Sequence, residues 1–138
     1  MNHLHHLATG ESLEEIQLSP VSRLDLIKYA GASGDYNPIH TIDEEAQKLG
    51  LPGIIAHGMW SMGQLSKLFT PYYTDGFIQN YSIRFKGMVG LGDVLTLRAT
   101  LTERGEERLR FKVIVVNQAE EDVLAGSIDY HLYSKAAV

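Results

Sequence analysis

The feature that most restricts how this chain can fold lies in its second half, where the hydrophobic period becomes two. Leu95, Leu97, Ala99 and Leu101 alternate with Thr96, Arg98, Thr100 and Thr102. Leu109, Phe111, Val113 and Val115 repeat the pattern, as do Leu124, Gly126, Ile128, Tyr130 and Leu132. Successive side chains on an extended backbone point to opposite faces, so each run reads as a strand with one face buried. The connections Gly90-Leu91-Gly92-Asp93, Glu103 to Glu107 and Gln118 to Asp122 are short. Short connections predict an antiparallel meander. Phe77 to Val89 supplies a fourth long strand, and Glu14 to Leu18 reads as a short one.

The first half carries helical patterns. Ser22 precedes Arg23-Leu24-Asp25 as an N-cap with an acid three residues on, and Leu24, Ile27, Lys28 and Gly31 follow at helical spacing. A helix from about Ser22 to Ala32 is predicted, ending before Asn37-Pro38 because proline pushes its predecessor out of the helical region. Asp43 to Leu49 reads as a second short helix stopped by Gly50. Met59 to Phe69 is a third, with Met59, Trp60, Met62, Leu65, Leu68 and Phe69 leaving little exposed face, the pattern of a buried helix. The expected fold is α+β: one curved antiparallel sheet wrapped around a central buried helix. Residues 1–12 are expected to be a flexible N-terminal segment, and residues 13–138 the single domain.

Composition narrows the function classes. A chain of 138 residues suits one domain with a real core. Twelve basic residues against seventeen acidic give a net charge of -5, with no long basic cluster. That balance argues against nucleic-acid and anionic-membrane partners. The absence of cysteine removes disulfides, thiolate zinc sites and cysteine nucleophiles. No signal-peptide pattern and no bilayer-spanning apolar run is visible, so no membrane insertion is expected and a cytoplasmic protein is the default reading. His3, His5 and His6 are weak grounds for a metal site, and none is assigned.

The segment richest in chemistry runs from Ala30 through Gly31-Ala32-Ser33-Gly34-Asp35-Tyr36-Asn37-Pro38-Ile39 to His40. On a continuous helix, a carboxylate and an imidazole at this spacing would stand about 140° apart. Pro38 and the small residues before Asp35 permit a chain reversal that lets Asp35 and His40 converge. Such a pair suits acid/base chemistry near neutral pH. The same residues are also ordinary turn chemistry, in which Asp and Asn side chains bond their own backbone. Residues read alone leave both open. Downstream, Ile54-Ile55-Ala56-His57-Gly58-Met59 leads into the third helix, where unpaired N–H groups and the positive end of the dipole can meet a developing negative charge. There too a glycine that merely permits a turn, with a packed histidine before it, fits equally well.

Together these stretches resemble the MaoC-like family of (R)-specific enoyl-thioester hydratases and 3-hydroxyacyl-thioester dehydratases. The family signature Ala-x-x-Ser-Gly-Asp-x-Asn-Pro-(Ile/Leu)-His is complete from Ala30 to His40, and Ala56-His57-Gly58-Met59 follows at the family's spacing. Tyr81-Ser82-Ile83-Arg84-Phe85 and Gly92-Asp93-Val94-Leu95 resemble its first sheet strands, so the likeness covers roughly residues 20 to 134. The runs are most similar to the catalytic subunit of mycobacterial heterodimeric 3-hydroxyacyl-ACP dehydratases. The resemblance implies a hot-dog fold and reversible water addition to a trans-2-enoyl thioester borne by CoA or acyl carrier protein. It implies Asp35 and His40 as catalytic residues and the Gly58 N–H as oxyanion donor, with Ser66 at the substrate pocket and no cofactor. Asn37 is implied to fix the loop presenting His40, and His57 the loop before the helix. A homodimer is implied, or a heterodimer with a second hot-dog subunit. Arg84, Lys86, Lys67 and Arg110 are candidates to meet CoA phosphates or an acidic carrier, though solvated surface charge is the better reading for any one of them, and His131 reads as structural.

Two rival functions follow from the same fold. A thioesterase, or a dehydratase of the type with an acid on the central helix, needs a carboxylate that Met59 to Thr70 lacks, offering only Gln64. A non-catalytic acyl-thioester-binding subunit of a heteromeric dehydratase would be expected to lose Asp35 or His40, and both are present.

Overall fold

The computed structural model describes residues 4–134. Five strands form one antiparallel sheet: β1 (Ile16–Gln17), β2 (Gly76–Phe85), β3 (Thr96–Arg104), β4 (Arg108–Val116) and β5 (Asp122–Leu132). The order across the sheet is β1-β3-β4-β5-β2. Thus β3, β4 and β5 form the expected meander, but β2 pairs with β5 rather than with its sequence neighbour β3. Residues 86–95 carry the chain from one side of the sheet to the other, anchored by Lys86 N–H on Val123 O (2.9 Å) and Gly92 N–H on Val21 O (2.8 Å). Turn residues at 90–93 read as a tight reversal, but they sit within this longer crossing.

The apolar set of each strand faces one core. Leu97, Ala99, Leu101, Leu109, Phe111, Val113, Val115, Leu124, Ile128 and Tyr130 are all buried. Across this face lies α3 (Gly58–Leu65), continued by a 3-10 turn at Ser66–Leu68 and packed mainly against β3 and β4. Phe69 closes the packing, edge-on to Phe111 (centroids 5.1 Å apart) and stacked on Tyr130 (5.4 Å). The helix is shorter than its apolar run and buried on one side only. Ser61 and Leu65 are inside, while Met59 is 57% exposed. A single sheet covers one flank of a helix, so the rest of its apolar surface stays open in the lone chain.

α1 (Arg23–Ser33) begins with a capping box: Ser22 Oγ accepts the Asp25 N–H and Asp25 Oδ2 accepts the Ser22 N–H, both at 3.1 Å. α2 (Asp43–Lys48) carries Asp43, Glu44 and Glu45 in its first turn, where the helix dipole favours acids. Of the segment expected to be flexible over residues 1–12, the described residues from Leu4 on pack onto the sheet. Leu4 and Leu7 are buried, and Gly10 and Leu13 donate N–H bonds to β3 at Leu101 O (2.8 Å) and Ala99 O (2.9 Å). Arg104 donates to the carbonyls of Leu4 and Leu7. Two leucines at helical-turn spacing gain burial that a polar composition average conceals. His3 lies outside the described residues.

Candidate active site

The site is assembled where α1 ends. Gly34 takes the left-handed conformation (φ 74°, ψ 9°), closing the helix with its N–H on Ala30 O at 2.9 Å. This conformation costs an L side chain steric energy that glycine avoids. Beyond it, a relay of side chains fixes the loop at every second residue. Ser33 Oγ accepts the Asp35 N–H (3.1 Å), Asp35 Oδ1 accepts the Asn37 N–H (3.2 Å), and Asn37 Oδ1 accepts the Ile39 N–H (3.2 Å). Asn37 thereby caps the 3-10 turn Pro38–His40, with Pro38 at its first position. Turn chemistry and side-chain convergence are both realised by Asp35: Oδ1 serves the turn, and Oδ2 stands 3.8 Å from His40 Nε2.

The two partners differ in environment. The Asp35 side chain is 51% exposed and that of His40 only 10%. His40 Nδ1 lies 2.7 Å from the carbonyl of Ile55, which can only accept, so Nδ1 carries the proton. In the neutral ring Nε2 then bears a lone pair directed toward Asp35. Ile55 is itself held, its N–H on Ile39 O (3.0 Å), and Ala56 donates to Val89 O (2.7 Å) on the crossing segment. Asp43 Oδ1 accepts the Ile54 N–H at 3.1 Å. That bond first, and Arg23 second, hold the Asp43 carboxyl below its ordinary range.

His57, only 2% exposed, stacks on His40 with centroids 3.8 Å apart and rings inclined by 23°. Its Nε2 lies 3.1 Å from the carbonyl of Asp35. Gly58 follows as the first residue of α3, and His57 gives the helix no side-chain cap. The first intrahelical donors are Trp60 and Ser61, both to His57 O. The N–H groups of Gly58 and Met59 therefore have no acceptor within the helix and lie at its positive end. A Cβ on residue 58 would stand 2.9 Å from the ring of Phe85, which reaches over from β2.

Asp35, His40 and His57 each bring a ligand-capable atom within 4.8 Å of the others. His40 Nδ1 and His57 Nε2 each face a backbone carbonyl, and His57 Nδ1 is buried, so both rings are already held by hydrogen bonds. The arrangement therefore suits hydrogen bonding to a small molecule better than chelation of a cation. Of the other residues singled out from sequence, Ser66 ends α3 with its hydroxyl donating to Gly63 O (2.6 Å). Arg110 is held by Asp129 (2.8 Å), His131 lies against Phe77 at the far end of β5, and Lys67, Arg84 and Lys86 are exposed. Three contributors escaped the sequence reading: Tyr29, edge-on to His57 at 4.8 Å; Phe85 over Gly58; and Tyr81, whose hydroxyl donates to Met62 O and ties β2 to α3. Burial pushes the Tyr81 phenol well above its ordinary value, so it remains a donor. The alternation of Tyr81, Ile83 and Phe85 was the available signal for two of them.

The chain is 38% identical over 84 residues to the (R)-specific enoyl-CoA hydratase of Rhodospirillum rubrum, a match covering 59% of this chain and 58% of that protein. It is 34% identical over 110 residues to the fatty acid synthase subunit beta of Aspergillus oryzae, covering 77% of this chain but only 5% of that subunit. The chain thus spans a small part of that relative's length. It superimposes on the unliganded R-hydratase PhaJ1 of Pseudomonas aeruginosa with a TM-score of 0.86 and 28% identity, over 95% of this chain and 85% of that one. The fold is accordingly the single hot-dog domain expected, its five-stranded sheet packed against α3. A MaoC like domain is matched over residues 6–123, and the chain belongs to that family.

Proposed function

We propose that the protein is a hydro-lyase that adds water reversibly to trans-2-enoyl thioesters of CoA or acyl carrier protein, in fatty acid metabolism. The observation that carries this reading is the Asp35–His40 pair, with Oδ2 and Nε2 separated by 3.8 Å. That gap is too long for a direct hydrogen bond. One water making ordinary bonds of about 2.8 Å to each partner, at close to a right angle, would span it. Asp35 and His40 hold this water from two sides and take a proton from it as its oxygen bonds to Cβ. The pair then returns a proton to Cα, and dehydration runs the same steps backward. Negative charge gathers on the thioester oxygen when Cβ is attacked. The unpaired N–H of Gly58, at the start of α3, is the donor for it. Ser66 is assigned to the pocket wall, Asn37 to fixing the turn that presents His40. The active form is taken to be a homodimer, or a heterodimer with a second hot-dog subunit, which would also cover the open flank of α3.

The test is hydration of crotonyl-CoA and of a longer enoyl-CoA, followed by loss of enoyl-thioester absorbance. Asp35→Asn and His40→Ala run alongside, with acyl-carrier-protein substrates as a second arm. The proposal expects wild-type turnover and losses of about 100- to 10,000-fold in each variant. Full activity in either folded variant contradicts it.

A further inference from the structure

We infer that His57 is the positioning residue of this site, one imidazole that fixes both members of the Asp35–His40 pair; the inference rests on the function proposed above. Three contacts converge on its ring. The Nε2–H donates to the Asp35 carbonyl at 3.1 Å, so it ties down the backbone of a residue on an exposed loop. The ring face stacks on His40 at 3.8 Å. The ring of Tyr29, from α1, meets it edge-on at 4.8 Å. These contacts do different work. The bond from His40 Nδ1 to Ile55 O holds one edge of the His40 ring but leaves it free to tilt about that bond. A planar ring against its face removes the tilt and fixes the direction of Nε2. The carbonyl bond sets where Asp35 stands relative to the same ring.

The hydrogen-bonding role of His57 follows from its surroundings. Nε2 must carry the hydrogen because a carbonyl cannot donate. Nδ1 is buried and has no hydrogen-bond partner among the described residues. His57 thus serves as a donor at one end and a flat surface on its face, and both contacts position its neighbours.

The full chain is the material for the test, with His57→Ala, His57→Gln and His57→Phe. Glutamine keeps a donor for the Asp35 carbonyl, phenylalanine keeps the stack, and alanine keeps neither. Two readouts are taken: kcat and KM for enoyl-thioester hydration, and the side-chain Nδ1–H proton of His40 by NMR. A misplacement of reacting groups by about 1 Å costs about 100-fold in rate, so His57→Ala should lose about that in kcat with little change in KM. Glutamine and phenylalanine should each recover part of the loss, in an order that does not follow their melting temperatures. The His40 Nδ1–H signal, sheltered from water in the wild type, should broaden by exchange in His57→Ala and persist in His57→Phe. Wild-type kcat in folded His57→Ala, or losses that simply track melting temperature, overturns the inference. So does an unchanged His40 signal in His57→Ala. A wild type that hydrates no enoyl thioester contradicts the proposed function instead, and the NMR signal then decides the role of His57 alone.

Discussion

At the residue scale, Asp35 divides its two carboxylate oxygens between two partners. Oδ1 holds the Asn37 N–H and Oδ2 faces His40. An asparagine at this position keeps an acceptor for the turn and removes the negative charge. Asp35→Asn should therefore melt close to the wild type, within about 0.5 kcal/mol, while losing hydration activity. Thermal melts beside initial rates check this. Gly58 gives a second prediction. The Cβ of Gly58→Ala would meet the Phe85 ring at 2.9 Å, an overpacking that costs about 1 kcal/mol and that Phe85→Leu should relieve. A double-mutant cycle of melting temperatures measures that coupling. The pair itself was legible in the sequence as residue types and spacing. The reason it converges was not, because it depends on the left-handed Gly34 and on a relay of backbone bonds that leave no periodic signal. His57 stood out as a motif position, but its contact with His40 joins segments that only the folded chain brings together.

At the element scale, signals that act between near neighbours are visible in the sequence. The Ser22 cap and its Asp25 partner are in the sequence and in the structure, since a capping box needs only neighbours. Ser22→Ala should cost about 1 kcal/mol by denaturant unfolding. Strand identities in the second half were equally legible, because burial of one face imposes period two. Pairing was not. Nothing in the alternation of β2 says that it lies beside β5 rather than β3, since both partners present the same apolar face to α3. The helical run Met59 to Phe69 suggested burial all round, yet Met59 is exposed and the last turn tightens to 3-10 geometry. Apolar composition marks what can be buried; here Leu65, Leu68 and Phe69 are buried, Trp60 and Met62 half-buried, and Met59 exposed.

At the scale of the whole molecule, the outer face of the sheet carries one buried acid among bases. Asp129, with its side chain 7% exposed, receives Arg110 at 2.8 and 3.2 Å and lies 3.6 Å from Arg108. The Arg110 hydrogen bonds lower its pKa most, Arg108 and Asn80 add to this, and burial opposes them. A carboxyl held below its unfolded value stabilises the fold above about pH 4 and loses that contribution as pH falls through the folded value. The wild type should therefore lose stability on acidification below about pH 4. Asp129→Asn should be less stable at neutral pH by about 1 to 2 kcal/mol, discounted for the exposed guanidinium groups, and should show a shallower acid loss. Melts between neutral and acid pH compare the two slopes. No helix among the described residues is long and apolar enough to cross a membrane.

In the proposed mechanism Asp35 and His40 act as a unit on one shared water, and kcat/KM for enoyl-thioester hydration in Asp35→Asn, His40→Asn and the double variant measures their coupling. His40→Asn keeps a donor for the Ile55 carbonyl and removes Nε2. Groups that act together on one water are strongly non-additive, so the double variant should be no slower than the slower single variant. Losses that multiply, with the double variant slower than either by the full product, would show two independent contributions and contradict the account.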